Sequence, residues 1–310
     1  MGIKEDICFS SGGSVYNIFE KTSTRIFENA EEIRIRSGQM LKVKMHSGYI
    51  YLSQKGEETL KNNAYKVSVK DITEMMNSLS GYSPYSYKEF IVSGFITIRG
   101  GHRAGISGQG VIENGKVTAI KDISGINIRI ARENKKCGKD VIKFISDGNE
   151  IKNTAIISPP AVGKTTLIRD ITRRISEEGF NVSVVDERSE ICALYKGVPQ
   201  LDIGENTDVL DSFPKHTGIL SALRSLSPDV IICDEVGGEK DISAIEKACF
   251  CGVKIICTVH GYTVKDCKDR LGDAFKEFDT FIVIYKDDKG LRHGEVFDKS
   301  GIKTSEVNLY

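Results

Sequence analysis

The chain has 310 residues, enough for two domains with cores of their own and no need of metals or disulfides to hold them. With 40% hydrophobic and 28% charged residues it has an ordinary globular composition, and 43 basic against 43 acidic side chains give no overall bias toward nucleic acid or a membrane surface. The balance hides a split: residues 1–140 hold 21 basic and 15 acidic side chains, or +6, and residues 141–310 hold 22 and 28, or −6, so the halves are electrostatically complementary within one chain or between subunits.

The eight cysteines are scattered without a CxxC pair, Cys249 and Cys251 forming only a CxC, and are expected to be reduced and structural. The N-terminus lacks the apolar stretch of a signal peptide, and no apolar run approaches the ~18 residues of a membrane helix. The expectation is a cytoplasmic chain without direct membrane insertion, peripheral at a membrane only through partners.

In chain order, Glu32–Arg36, Leu41–Met45 and Tyr49–Ser53 read as short strands. Ile72, Met75, Met76 and Leu79 follow at helical spacing after Ser68, with Asp71 placed for a capping box. Residues 94–130 read as a β-meander, in which Asn114-Gly115 marks a hairpin turn between Val111-Ile112 and Val117–Ile120. The polar stretch Glu133–Lys139 is the best linker. The boundary is therefore placed between an α+β domain over residues 1–137 and an α/β domain over residues 138–310. In the second, apolar strands at Thr154–Ile157, Val182–Val185, Val230–Cys233, Lys254–Thr258 and Phe281–Tyr285 alternate with helices, the first at Thr165–Ser176. That alternation predicts a parallel sheet covered on both faces, with ligands at the carboxyl ends of its strands.

The strongest motif sits at such an end. Ser158, Pro159, Pro160, Ala161, Val162, Gly163, Lys164, Thr165 and Thr166 follow a strand and open a helix, the setting of a P-loop. Its backbone N–H groups would cradle the phosphates of ATP, Lys164 would reach the β- and γ-phosphates, and Thr165 would hold Mg²⁺. Ser158 stands where the usual first glycine would be. Val230–Cys233 ends in Asp234 and Glu235, one placed to hold Mg²⁺ and the other to polarise the attacking water. A second acidic strand end, Asp186-Glu187-Arg188-Ser189-Glu190, offers metal positioning through Asp186 or base chemistry through Glu187, against the alternative of a surface ion-pair network. His260 closes a further strand, where it would sense the γ-phosphate or simply hydrogen-bond in its loop. The first half contributes Arg34 and Arg36 on one strand face, Arg99 and Arg103 around Gly100-Gly101-His102, and Arg129 and Arg132. No Asn/Thr-Lys-x-Asp motif for reading guanine is present, since Thr263–Asp266 has the wrong order.

The strings Val185–Ile191, Gly197–Asp202, Thr207–Asp211, Arg99–Arg103, Ile126–Arg132 and Thr258–Gly261 together resemble the stage III sporulation protein AA family, over roughly Glu31 to Tyr285. That family is in turn similar to secretion and pilus ATPases. The resemblance implies a RecA-like P-loop NTPase core preceded by a smaller α+β domain, and a homo-oligomeric, hexameric ring. It implies catalytic carboxylates among Asp186, Glu187 and Glu190, a Walker B glutamate at Glu235, and functional roles for His260 and Arg224. It further implies an ATPase in the mother cell that works with membrane channel proteins of the sporulation apparatus. The family usually carries glycine where this chain has Ala161, which bears on turnover. Two rival functions are a nucleic-acid-stimulated RecA-like ATPase, which the neutral charge disfavours, and a scaffold gated by ATP without hydrolysis, which Glu187 and Glu235 disfavour. An arginine supplied in trans, Arg103 first and Arg36 second, is expected to complete the site.

Overall fold

The computed structural model describes residues 2–81 and 94–309. They divide into two compact units, Met1–Arg132 with Ala193–Gln200, and Glu133–Cys192 with Leu201–Tyr310.

The first unit is one antiparallel sheet backed by helices. Its strands are β1 (Ala30–Arg36), β2 (Lys42–Met45), β3 (Gly48–Leu52), β4 (Glu58–Thr59), β5 (Phe95–Thr97), β6 (Arg103–Glu113) and β7 (Lys116–Arg129), in the order β4-β3-β2-β1-β7-β6-β5. Period-two alternation along β1 buries Ile33 and Ile35, which join Val43, Ala104, Ile126 and Ile128 in one core. That core is covered by apolar residues of α1 (Ile3–Phe9), α2 (Gly13–Lys21), α3 (Thr24–Asn29) and α4 (Val69–Leu79). Helix α4 starts as its sequence requires: Ser68 accepts the Asp71 N–H while Asp71 accepts the Ser68 N–H, a complete capping box. The β6–β7 hairpin turns at Asn114 (φ 51°) and Gly115 (φ 74°), the left-handed pair of a two-residue turn. Part of the expected 94–130 meander is thus a long two-stranded arm, β6 pairing with β7 from Arg103↔Arg129 out to Glu113↔Lys116.

The second unit is doubly wound. Its sheet has the order β12-β9-β13-β14-β8-β15-β16-β17, with β8 (Thr154–Ser158), β9 (Val182–Asp186), β12 (Thr207–Asp211), β13 (Val230–Cys233), β14 (Lys254–His260) and β15 (Thr280–Lys286) parallel, and β16 (Arg292–Asp298) and β17 (Lys303–Asn308) antiparallel at the edge. The central strands are apolar on both faces. Ile156, Val184 and Ile232 join the cluster on one side, while Ala155, Ile157, Val185 and Ile231 join that on the other. The helices are α5 (Lys164–Glu177), α6 (Lys215–Ser225), α7 (Glu239–Phe250) and α8 (Val264–Leu271). All eight cysteines are free thiols, five of them buried.

The polar segment Glu133–Lys139 is packed rather than loose. Cys137 is buried, the Gly138 N–H donates to Asp170 Oδ2 at 2.7 Å, and Arg173 and Arg174 of α5 both donate to the Lys135 carbonyl. The segment's polarity satisfies a helix surface instead of water, which composition alone does not reveal. A second feature absent from the sequence pattern is the small hairpin of β10 (Leu194–Tyr195) and β11 (Val198–Pro199), which sits with the first unit, where the Gly100 N–H donates to Gln200 Oε1 at 2.9 Å.

Candidate active site

The site lies at the carboxyl end of the central strands β8, β13, β14 and β9. Strand β8 ends at Ser158, fully buried, whose hydroxyl donates to the Pro159 carbonyl at 2.9 Å. The loop then turns through Ala161 (φ 60°) and Gly163 (φ 113°) before α5 begins at Lys164. Both lie in the left-handed region, which glycine adopts freely and alanine at a cost. Between them, Val162 is buried and its carbonyl accepts from Arg292 Nε at 2.7 Å, so the antiparallel strand β16 anchors the loop.

Above the loop is an open cleft of about 280 Å³ lined by Pro160, Ala161, Gly163, Lys164, Thr165, Thr166, Glu190 and Glu235. The first turn of α5 aims its unpaired N–H groups there, a ready anion site. Lys164 is 7% exposed and its Nζ stands 3.8 Å from Glu235 Oε1. Thr165 Oγ1 donates to Asp234 Oδ2 at 3.1 Å. Asp234 also accepts from the Thr258 hydroxyl, and that same oxygen accepts the Glu235 N–H at 2.8 Å. Thr258 of β14 thus orients both acids, and Glu235 is held in the left-handed region (φ 46°), strain that the surrounding bonds maintain. His260 ends β14 in register with Ser158, its ring edge-on to Tyr262 at 6.5 Å between centroids.

The acidic strand end divides its labour. Asp186, 1% exposed, accepts the N–H groups of Glu190, Ile191 and Cys192 at 2.8–2.9 Å. Burial pushes its carboxyl up to about 6, against the lowering effect of those bonds. Its oxygens are therefore engaged in shaping the loop, and Asp186 is not among the residues that line the cleft over the P-loop. On the loop's other side Arg169 of α5, also buried, donates to the carbonyls of Ile191 and of Glu190, the latter at 2.6 Å. Clamped this way, Glu190 lines the cleft over the P-loop. Glu187 does not line that cleft; it is ion-paired to Lys215, the first residue of α6. Arg188 Nη1 reaches Glu235 Oε2 at 3.3 Å.

The structure thus brings Lys164, Thr165, Asp234, Glu235 and Glu190 together, with His260 at the neighbouring strand end. Arg103 belongs to the first unit, with its guanidinium over the Phe95 ring at 4.5 Å. Of the other first-half arginines, Arg34 pairs with Glu32 at 2.6 Å, Arg99 with Asp6 at 3.0 Å, and Arg132 donates to the Ala30 carbonyl at 2.8 Å, all structural contacts. Sequence reasoning missed Lys215, Arg169, Thr258 and Arg292. Thr258 and Arg169 each had a signal, being polar residues inside apolar strand and helix patterns; Lys215 and Arg292 had none.

Mg²⁺ fits this donor set. A hydroxyl and a carboxylate within 3.1 Å of each other are hard oxygen ligands, and the ion characteristically takes one or two protein oxygens and leaves the rest to phosphates and water. Among the described residues no three acidic, His or Cys side chains form a cage of their own.

Comparison with known proteins agrees with this architecture. The family described as "Sporulation stage III, protein AA" matches residues 2–304. Stage III sporulation protein AA of Bacillus subtilis (strain 168) is 34% identical over 297 residues, 93% of each chain. Among solved structures, the pilus retraction motor PilT with bound ADP superposes with a TM-score of 0.60 at 15% identity, covering 88% of this chain and 81% of that one. The Legionella pneumophila ATPase DotB does so with 0.55 at 18%, covering 89% and 80%. At these identities the likeness establishes the fold, that of the RecA-like P-loop secretion ATPases.

Proposed function

Given that the chain belongs to the Sporulation stage III, protein AA family, we propose that it is an ATP-hydrolysing motor of the secretion-ATPase type that energises a mother-cell-to-forespore transport channel. The observation that carries the reading is the contact between the P-loop Thr165 and the strand-end Asp234, with Lys164 and Glu235 across the same cleft. No arrangement of a merely packed strand end requires a lysine and two acids to converge on a helix N-terminus.

In this reading the loop from Pro159 to Thr166 binds the phosphates of ATP through its backbone, and Lys164 neutralises the β- and γ-oxygens. Thr165 and Asp234 would hold Mg²⁺, which supplies charge neutralisation along the phosphate chain. Glu235 orients and deprotonates the attacking water, with Glu190 lining the same cleft. His260, at the end of the strand beside the P-loop, follows the γ-phosphate. Arg103, supplied by the basic half of a neighbouring subunit, completes the site in a homo-oligomeric, hexameric ring. The ring works at the membrane through channel proteins; no helix among the described residues is long and apolar enough to cross a membrane.

The test is Lys164→Ala. Removing the charge that faces the β- and γ-phosphates should abolish tight MgATP binding, read by isothermal titration, while the fold survives. Unchanged affinity and turnover would refute the nucleotide site.

A further inference from the structure

Arg188 stands one wall away from the P-loop. Glu190 and Glu235 line both the cleft that holds Lys164 and a smaller pocket beside it that holds Arg188 and Lys215. The Glu235 carboxylate faces a cation on either side, Oε1 toward Lys164 Nζ at 3.8 Å and Oε2 toward Arg188 Nη1 at 3.3 Å. Those two contacts and the width of one carboxylate are all that separates the cations. The backbone at residue 188 is fixed from both sides. Before it, Glu187 is ion-paired to Lys215, buried at the start of α6. Helix α6 lies close against β9 because residue 218 is glycine; a Cβ there would run into Val185 Cγ1. After it, the Ser189 hydroxyl donates to Asp211 and the Glu190 N–H to Asp186. The Arg188 side chain between these anchors is 70% exposed, and Glu235 is its one polar partner among the described residues.

We propose that Arg188 is a γ-phosphate-binding residue supplied in cis: its guanidinium passes from Glu235 to the γ-phosphate that Lys164 holds, and so tells ATP from ADP. Of the cations around the two pockets, Lys164 belongs to the P-loop and Lys215 is buried against Glu187, so Arg188 is the one with both proximity and freedom. An ion pair as exposed as Arg188–Glu235 adds little to folding, so the fold does not depend on keeping the guanidinium on that carboxylate. A phosphate offers it more than a carboxylate does, since phosphate oxygens accept the planar fork bidentately and carry more charge. ADP has no oxygen in that place, so the contact exists with ATP alone. In hydrolysis the water oxygen bonds to the γ-phosphorus while the β–γ bridging oxygen leaves on ADP with the electron pair of the broken bond. The guanidinium stays protonated throughout, moves no proton, and offsets the charge spread over the γ-phosphoryl oxygens.

The inference rests on the ATPase reading, so the experiment reads binding as well as turnover. Kd values for the magnesium complexes of ATPγS and of ADP are measured by isothermal titration for the full-length wild type, Arg188→Ala and Arg188→Lys. Arg188→Ala should weaken ATPγS binding by roughly 10–50-fold, the range of a hydrogen bond between charged groups, and ADP binding by less than about twofold. Arg188→Lys, which keeps the charge without the fork, should fall between wild type and Arg188→Ala. ATP turnover by Arg188→Ala should drop by at least about 10²-fold, while Tm moves by less than about 2 °C. A merely structural arginine would weaken both nucleotides alike. That result, or an unchanged preference for ATPγS over ADP, overturns the proposal whatever the turnover. Mixing Arg188→Ala with Lys164→Ala chains should restore nothing, because both groups serve one chain's site; recovery would put Arg188 in a neighbour's site and overturn the assignment in cis. A wild-type chain that binds neither nucleotide would instead overturn the ATPase reading, and this inference with it.

Discussion

Ala161→Gly isolates a backbone cost from every side-chain contact. Ala161 sits at φ 60° in the phosphate loop with its methyl exposed, so replacing it by glycine removes no packing. An L-residue in the left-handed region costs about 1–2 kcal/mol. Glycine's greater freedom in the unfolded chain takes back about 0.4–1 kcal/mol. The net expectation is a gain of roughly 0.5–1 kcal/mol, which for a unit of this size raises Tm by about 1–4 °C. The strain belongs to the folded loop and cancels from the binding equilibrium as long as the loop keeps this backbone when nucleotide enters, so Kd for ATP should change less than about threefold. Urea unfolding of both proteins, with m-values compared to confirm like transitions, gives the first number, and titration with a slowly hydrolysed ATP analogue gives the second. A glycine variant less stable than the parent would refute the left-handed assignment. A large rise in affinity would show instead that the alanine loop must rearrange to bind.

Glu235→Gln should keep ATP binding and lose roughly 10²–10⁴-fold in hydrolysis, while Glu187→Gln loses far less; single-turnover assays separate the two, and equal losses would make the acids equivalent. Arg103→Ala should cripple hydrolysis in the assembled protein by up to about 10³-fold, and mixing it with a Lys164→Ala chain should partly restore activity through interfaces that hold both intact groups. No recovery in demonstrably mixed assemblies, also diluted with wild type to exclude a need for every site, would place the arginine in cis. His102 is 2% exposed, and burial, then the nearby Arg132, lowers its pKa to about 4. A depressed folded value means its contribution is whole above the unfolded value near 6.5 and is lost as pH falls toward 4, by about 3 kcal/mol at most. The first unit should therefore lose protection in hydrogen exchange across that window, and a His102→Gln variant that loses it equally would assign the effect elsewhere.

Much of the second unit was legible because its physics is local. Five apolar runs bounded by turns became five parallel strands, and the P-loop appeared between the strand and helix that its chemistry needs. Ser68 and Asp71 announced their helix by capping, and Asn114-Gly115 its hairpin by backbone preference. The illegible parts depend on tertiary placement. Asp186 looks like its neighbours in sequence; only its burial against three N–H groups shows that it shapes a loop. Lys215 reads as one more solvated lysine until Gly218 draws α6 against β9. The antiparallel strands β16 and β17 are too polar to stand out, their outer faces meeting water, and β12 reads as loop because charged residues bracket its short apolar centre.

The hairpin Ala193–Gln200 changes what can be done with this chain by cutting it. Because residues on both sides of it belong to the other unit, the polypeptide passes from one unit to the other three times, after Arg132, after Cys192 and after Gln200. A truncated chain beginning at Glu133 would carry a hairpin stripped of the surface it folds on, and one ending at Arg132 would lack a piece of its own structure. Separating the halves cleanly calls for excising residues 193–200 and joining Cys192 to Leu201 by a short flexible link. With all three passages intact, each unit is held at a high effective concentration of the other, so loosening a single connection should not release it.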